Sequence, residues 1–454
     1  MTLSIFPTAS LLDAEEQTEG SLDPLGTYNI SELLASRIGS PGVRERQRNL
    51  RFLTLCCVGW EVLASMDPEI KPGDQGVTYE QAFEWLTVEA LVAGERKDGG
   101  AGFGSLPGIN KARACIRAQL HLNADRYLRT ASVFGFFGVY RTLAEYIGLV
   151  VPRSDESPLL GPEGSRLLTV WRYEQGLEGF GRGLRGVGQK EYAALVDTLQ
   201  ATWQAGQVVA DKRSFSVIQQ YLQPLCPGGP QEQADLVRLI TEPGRREEDD
   251  HRRQVLKVLD RKEARALMMA NESNAEQKFH RLLRSFASDS LVGVLDAVSA
   301  YESFIRPLHD TFDDLLFSLS SQSRLISSSD LADGLSDLGP RAKVMPKLFL
   351  TAQIALGKIG DLGARFEREF DIFSKPMTGK ELLGALLFHH ETVQKKKPPV
   401  GKAPWIEHPD HRVAVRPMYR RQNGAGADEG YVYFYRARPL FDLVRGARGQ
   451  YGED

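Results

Sequence analysis

Cysteine is scarce in this chain: four in 454 residues, at positions 56, 57, 115 and 226. Cys56 and Cys57 are adjacent, and no CxxC or CxxH stands at a zinc-finger spacing, which excludes a disulfide framework and a small zinc module. The pattern predicts reduced thiols in a cytoplasmic protein. Long apolar runs are also missing. None approaches the ~18–20 residues of a membrane span, so no membrane partner is expected. Met1 to Ser10 has no basic n-region and Asp13-Ala14-Glu15-Glu16 follows at once, which argues against a secretory signal or transit peptide.

Motifs that carry chemistry are lacking as well. Gly99-Gly100-Ala101-Gly102-Phe103-Gly104 has the look of a phosphate loop, but no GK[ST] follows it, and Gly379-Lys380 lacks the upstream glycine of a Walker loop. His389-His390-Glu391 is not an HExxH zinc site, because Gln394 stands where the second histidine belongs. His408, Asp410 and His411 have no companion ligands. No GxSxG elbow occurs. The sequence therefore assigns no catalytic residue, no metal, no cofactor and no small-molecule substrate.

What is present is an ordinary globular composition, 42% apolar and 25% charged, in a chain long enough for roughly two to four domains. The net charge of −3 conceals an asymmetry. Asp13, Glu15, Glu16, Glu19, Asp23 and Glu32 dominate the first forty residues, whereas Arg44–Arg51, Lys111–Arg141 and Lys395–Arg445 are basic. Four segments are expected: an acidic arm (1–40), a helical domain with a winged-helix-like module (41–188), a long-helix bundle (189–375) and a basic α+β module (376–454).

Helices are expected at 43–64, with Leu50, Leu53, Cys57, Trp60 and Ala64 on one face, and from the capping-box sequence Thr78-Tyr79-Glu80-Gln81 to Gly94. Others follow at 109–121, 125–130, 134–147, 162–177, 189–205, 213–223 and 230–241. Six glycines between Gly176 and Gly188, with Arg182 and Arg185, read as a hinge or exposed loop. Pro227-Gly228-Gly229-Pro230 breaks the chain. Long helices are expected at 247–270, at 290–320 with an interruption at Pro307, and at 342–373. Near the C-terminus Val413 and Val415 alternate with Ala414 and Arg416, and Tyr431-Val432-Tyr433-Phe434-Tyr435 is a strong strand former. Asn423-Gly424-Ala425-Gly426 reads as the hairpin connection between them. The fold class is thus mainly α and multi-domain.

The most informative stretch is Val139 to Leu168. Val139, Leu143, Tyr146 and Ile147 form one helical face, and Gly148 suits the left-handed position that ends a helix. Leu149-Val150-Val151 starts a strand, and Arg153 to Ser157 would form a short wing. Gly161-Pro162 opens the next helix. Gly148-Leu149-Val150 followed by Leu160-Gly161-Pro162-Glu163-Gly164-Ser165-Arg166-Leu167-Leu168 resembles winged-helix DNA-binding proteins over residues 126–175. The chain also resembles uncharacterised accessory proteins of bacterial anti-phage defence.

The winged-helix resemblance implies that Tyr140, Arg141 and Thr142 face DNA, with Arg153 on the wing. Lys111, Arg113, Arg117, Arg126 and Arg129 add basic neighbours. A second basic cluster, Lys395, Lys396, Lys397, Lys402, Arg416 and Arg420, is interleaved with Trp405, Tyr419, Tyr433 and Tyr435, a composition that can neutralise phosphates and stack on bases. The alternative for that cluster is tyrosines packed internally and arginines paired with Glu407, Asp410 and Asp442. The expectation is a non-enzymatic DNA-binding subunit of a larger bacterial assembly, its partners DNA and other protein subunits. The rival is a protein-interaction scaffold using the same winged helix and long helices.

Overall fold

A computed structural model describes residues 23–39, 41–47, 49–74, 76–95, 106–153, 157–224, 228–242, 247–270, 272–321, 326–397, 401–408, 412–426 and 430–447. The Gly99–Gly104 loop, Cys226, Asp410 and His411 lie outside these residues. Within them stand nineteen α-helices against five strands of two to four residues, so the protein is mainly α.

The first helices are α1 (Tyr28–Arg37), α2 (Arg51–Leu63), α3 (Tyr79–Ala93), α4 (Ile109–Arg117), α5 (Ala131–Phe134) and α6 (Phe136–Tyr146). A hairpin of β1 (Val150–Val151) and β2 (Leu159–Leu160) leads into α7 (Pro162–Gln175), α8 (Gln189–Ala205), α9 (Lys212–Tyr221) and α10 (Pro230–Thr241). Then come α11 (Glu247–Leu259), α12 (Lys262–Met269), α13 (Ala275–Arg284) and α14 (Asp289–Ser321). They are followed by β3 (Ile326–Ser327), α15 (Ser328–Asp333), α16 (Leu338–Leu356), α17 (Leu362–Phe370) and α18 (Gly379–Lys395). Strands β4 (Ile406–Glu407) and β5 (Arg412–Val415) precede α19 (Ala437–Ala447).

The chain divides into two discontinuous units. One joins Gly39–Leu256 with Arg436–Asp454, and the other joins Met1–Ile38 with Lys257–Tyr435. Residues 189–256 of the expected long-helix segment thus belong with 39–188, and residues 257–375 belong with most of the basic C-terminal segment.

In the first of these units α2 is buried almost all round, from Arg51 to Leu63 with Glu61 the exception, as a core helix must be when it is apolar on every side. It starts eight residues later than its periodicity suggests. Gln47 holds the preceding turns, its amide nitrogen donating to Gly42 O (2.8 Å) and Val139 O (2.9 Å). Asn49 Oδ1 then accepts the Arg51 N–H at 2.9 Å. Arg51 meets Glu232 (Nε–Oε1 3.2 Å) in the interior, where Thr54 Oγ1 also donates to Glu232 at 2.7 Å. Helix α3 begins with the expected capping box, Thr78 and Gln81 bonding reciprocally. No helix forms at 125–130: Asn123 Oδ1 captures the Arg126 N–H at 3.0 Å, and Asn123 bridges to Gln207, a local side-chain bond that competes with helix formation.

In the other unit α14 is the spine, packed against α1, α13, α16 and α18. It runs unbroken through Pro307, contrary to the expected interruption. Proline removes one ladder bond, but Phe304, Ile305, Leu308 and Phe312 on either side are fully buried, and that packing holds the helix together. Phe304 lies edge-on to Phe349, Phe366, Phe370 and Phe373 at 4.9–6.3 Å, which gathers α16, α17 and the 371–373 turn around it. The expected helices 247–270 and 342–373 are each split, at Asp260-Arg261 and at Gly357–Asp361.

The C-terminal hairpin is corrected. Strand β5 pairs antiparallel with β3 (Ile326↔Val413) and with β4 (Ile406↔Val415), giving the order β3-β5-β4. Residues 431–435 form no strand. Their backbone donors go instead to the buried Glu302 of α14, Val432 N–H at 2.6 Å and Tyr433 N–H at 3.3 Å, and Tyr435 O–H joins them at 2.7 Å. Burial pushes the Glu302 carboxyl up to about 7 against these bonds.

Candidate nucleic-acid interface

The order read from Val139 to Leu168 is present as helix, two-stranded hairpin and helix. Helix α6 starts at Gly135, whose backbone is extended. A Cβ there would lie 1.9 Å from Glu84 Oε2, so only glycine admits this carboxylate. Glu84 accepts Phe137 N–H at 2.8 Å and Tyr127 O–H at 3.2 Å, satisfying a first-turn donor that the helix leaves open. Complete burial raises the Glu84 carboxyl to about 8 despite those bonds. At the other end Gly148 takes φ +77° and Leu149 N–H donates back to Ala144 O at 2.8 Å, a glycine-dependent helix stop. Val150 then pairs with Leu160 and Val151 with Leu159. Pro162 opens α7 behind Gly161.

The face expected to read bases is largely closed. Tyr140 is 1% exposed; its ring stacks on Phe52 (5.1 Å, 17°) and its hydroxyl accepts the Asn49 N–H at 3.1 Å. That removes Tyr140 from the DNA-facing set. Phe137 packs on Trp60 at 5.2 Å, so α2 and α3 cover most of α6. Arg141 is half-exposed and ion-paired with Glu80 (2.6 Å), whose same oxygen accepts the Trp60 indole N–H at 2.9 Å. Thr142 and Arg153 are exposed. The wing sequence Arg153-Ser154-Asp155-Glu156-Ser157 sets two acids against one base, and residues 154–156 lie outside the described set.

The basic neighbours divide. Lys111, Arg117 and Arg129 are exposed, with Arg117 Nε donating to Arg113 O at 3.2 Å. Arg113 is held in a bidentate pair by Glu95, Nε–Oε2 at 3.0 Å and Nη2 on Oε1. Arg126 Nη1 donates to His121 O at 3.1 Å.

The second cluster is assembled more tightly. Helix α18 begins with a capping box of Thr378 and Glu381. At its end Lys395 pairs with Glu391 (2.6 Å), and Lys396 is exposed. The chain then turns back: Gly401 N–H donates to Lys397 O at 2.7 Å and Lys402 N–H to Gln394 O at 2.9 Å. The Lys402 backbone therefore returns to the end of α18, close enough for its charge to act on Lys397. Burial holds the Lys397 ammonium below its ordinary range, Asp23 opposing and the Lys402 charge adding to the effect. Arg416 is paired with Glu407 (2.7 Å), whereas Arg420 is exposed. Tyr419 stacks on Trp405 at 4.3 Å with the rings 6° from parallel. The sequence already grouped Lys402 with Lys395, Lys396 and Lys397; the main-chain bonds that tie Lys402 back to the helix end are what the structure adds.

The His389-His390 pair is structural. His389 Nε2 donates to Leu25 O at 2.8 Å. Trp405 N–H donates to His390 Nε2 at 2.9 Å, which requires that Nδ1 carry the proton given to Pro24 O at 2.8 Å. Burial depresses both imidazoles, His390 to about 4. Among the described residues no three His, Cys, Asp or Glu side chains are grouped to hold a metal ion, and no helix there is long and apolar enough to cross a membrane. No family model, curated protein or solved structure matches this chain.

Proposed function

We propose that the protein is a non-enzymatic, DNA-binding subunit of a larger assembly, and that its phosphate contacts come from the lysine cluster at the end of α18. The observation that carries this reading is the return of the Lys402 backbone to the helix end that bears Lys396 and Lys397. Main-chain bonds bring Lys402 back to that end, where burial lowers the pKa of the Lys397 ammonium, Asp23 opposes and the Lys402 charge adds to the lowering. Like charges held together gain from a polyanion, each phosphate contact adding salt-dependent affinity without sequence preference. Helix α6 contributes positioning of its own unit rather than base contacts.

The test is anisotropy of a labelled DNA duplex over a salt series. Replacing Lys396 and Lys402 with glutamate should weaken binding about tenfold or more at low salt. It should also flatten the logarithmic salt slope by about one to two, at ~0.9 per phosphate contact. Tyr140→Phe should leave affinity unchanged. Absence of binding at low salt, or a slope unaltered by the lysine replacements, refutes the reading.

The protein-scaffold reading is favoured by one observation. The outward cross-strand pair of the hairpin is apolar, Val151 at 53% and Leu159 at 47% exposure, where a phosphate-touching wing would carry cations. Val151→Glu with Leu159→Glu should abolish association with a co-expressed partner subunit without changing DNA affinity; retained association rejects this second reading.

A further inference from the structure

Helix α16 has two unlike sides. Leu338, Ala342, Met345, Phe349, Ala352 and Leu356 are buried and recur at the three- and four-residue spacing of a core-facing stripe. The opposite side carries Lys343, Val344, Lys347, Leu350, Thr351 and Ile354, all exposed. Leu350 is 54% exposed, Ile354 58% and Val344 43%. At ~100° per residue, Leu350, Lys343, Ile354 and Lys347 fall within about 60° of arc, with Thr351 and Val344 at its margin. No acidic residue occurs between Leu338 and Gly360, a span that holds Arg341, Lys343, Lys347 and Lys358. Arg341 is turned inward to Asp314 at 2.8 Å, which leaves the lysines to set the charge of the outer face.

We propose that this face of α16 docks an acidic amphipathic helix of a partner protein. The apolar stripe of that helix would cover Leu350 and Ile354, with Val344 at its edge, and carboxylates one to two turns along the partner would meet Lys343 and Lys347, the helix-on-surface mode of peptide recognition. The chemistry favours a protein over the other polyanions. Aliphatic side chains neither stack on bases nor bond to phosphates, so nucleic acid would leave them wet. A membrane-surface helix segregates its lysines from its apolar face; here Lys343 and Lys347 share one arc with Leu350 and Ile354 and would be dragged toward the acyl chains. An acidic helix satisfies both kinds of side chain at once. This surface shares no residue with the lysine cluster of α18, so different variants test the two proposals.

Full-length protein is titrated with two labelled amphipathic peptides about three heptads long, each with leucine on one face, one flanked by glutamate and the other by lysine. The glutamate peptide should bind saturably and the lysine peptide should not. Leu350→Asp with Ile354→Asp should weaken binding about tenfold or more, a change of ~1.4 kcal/mol, and Lys343→Glu with Lys347→Glu should weaken it several-fold. Because all four positions are exposed, each variant should keep the wild-type melting temperature, and Lys396→Glu with Lys402→Glu should bind the peptide normally. Equal binding of both peptides, no saturable binding of either, or unchanged affinity in the Leu350–Ile354 variant overturns the proposal. So does binding to phosphatidylserine vesicles that is lost in the same variants.

Discussion

Glu84 offers a direct test of how the N-terminus of α6 is held. Its carboxyl is fully buried and raised from 4.5 to about 8, so the folded state keeps a proton that the unfolded chain has released. For a group raised in this way the stability it confers is fully present below about pH 4.5 and is lost as pH rises toward 8. At ~1.4 kcal/mol per pH unit this amounts to roughly 4–5 kcal/mol across the window. Glutamine has the shape of the protonated acid and can still accept the Phe137 N–H, but it does not ionise. Glu84→Gln should therefore lie within about 1 kcal/mol of wild type at pH 5 and be the more stable protein by several kcal/mol at pH 8.5. Urea denaturation followed by tryptophan fluorescence is the assay, since Trp60, Trp85, Trp171 and Trp203, four of the five tryptophans, lie in the same unit as Glu84. If the difference between wild type and variant is constant from pH 5 to 8.5, the burial argument is wrong.

Other outcomes follow from the same physics. Gly135→Ala places a methyl 1.9 Å from Glu84 Oε2; expelling the carboxylate should cost about 2–3 kcal/mol through the unsatisfied Phe137 and Tyr127 donors, and an unchanged melting temperature would contradict the contact. Arg51→Met leaves Glu232, which is fully buried, without its cation and should cost about 3–5 kcal/mol; a urea midpoint shift worth less than about 1 kcal/mol would refute the pairing. His280 is 4% exposed, neither ring nitrogen has a hydrogen-bond partner among the described residues, and burial lowers it to about 3. Its neutral form therefore stabilises the fold above about pH 6.5, and that stability is lost as pH falls toward 3. His280→Phe, which suits the neighbouring Phe279, Tyr431 and Tyr435 rings, should lessen the fall in melting temperature between pH 7 and 5. An identical fall in both proteins would argue against it.

Much of the local architecture was legible in the chain because its determinants lie within a few residues of one another. Thr78 and Gln81 close a capping box, Gly148 ends a helix, and Gly161-Pro162 starts the next. Where the reading failed, a longer-range partner outweighed local preference. The tyrosine-rich 431–435 run has the composition of a strand, yet its donors are taken by Glu302 about 130 residues away in sequence. Helix α14 ignores the proline that should interrupt it because its flanks are buried on both sides. Asn123 prevents the helix expected at 125–130 by bonding the Arg126 amide and bridging to Gln207.

The candidate site shows the same division. Which residue types stand on α6, and in what order helix, hairpin and helix follow, is written in Val139 to Leu168, because caps and turns are settled by neighbouring residues. Whether Tyr140 faces a ligand or Phe52, and whether Arg141 is available or paired with Glu80, depended on α2 and α3, which approach from far away in sequence. The sequence grouped Lys402 with Lys396 and Lys397, but the tie that returns it to the end of α18 is made by main-chain bonds across the break. Local hydrogen bonding sets an element and its ends; burial, which decides what a side chain is free to touch, is a property of the packed molecule.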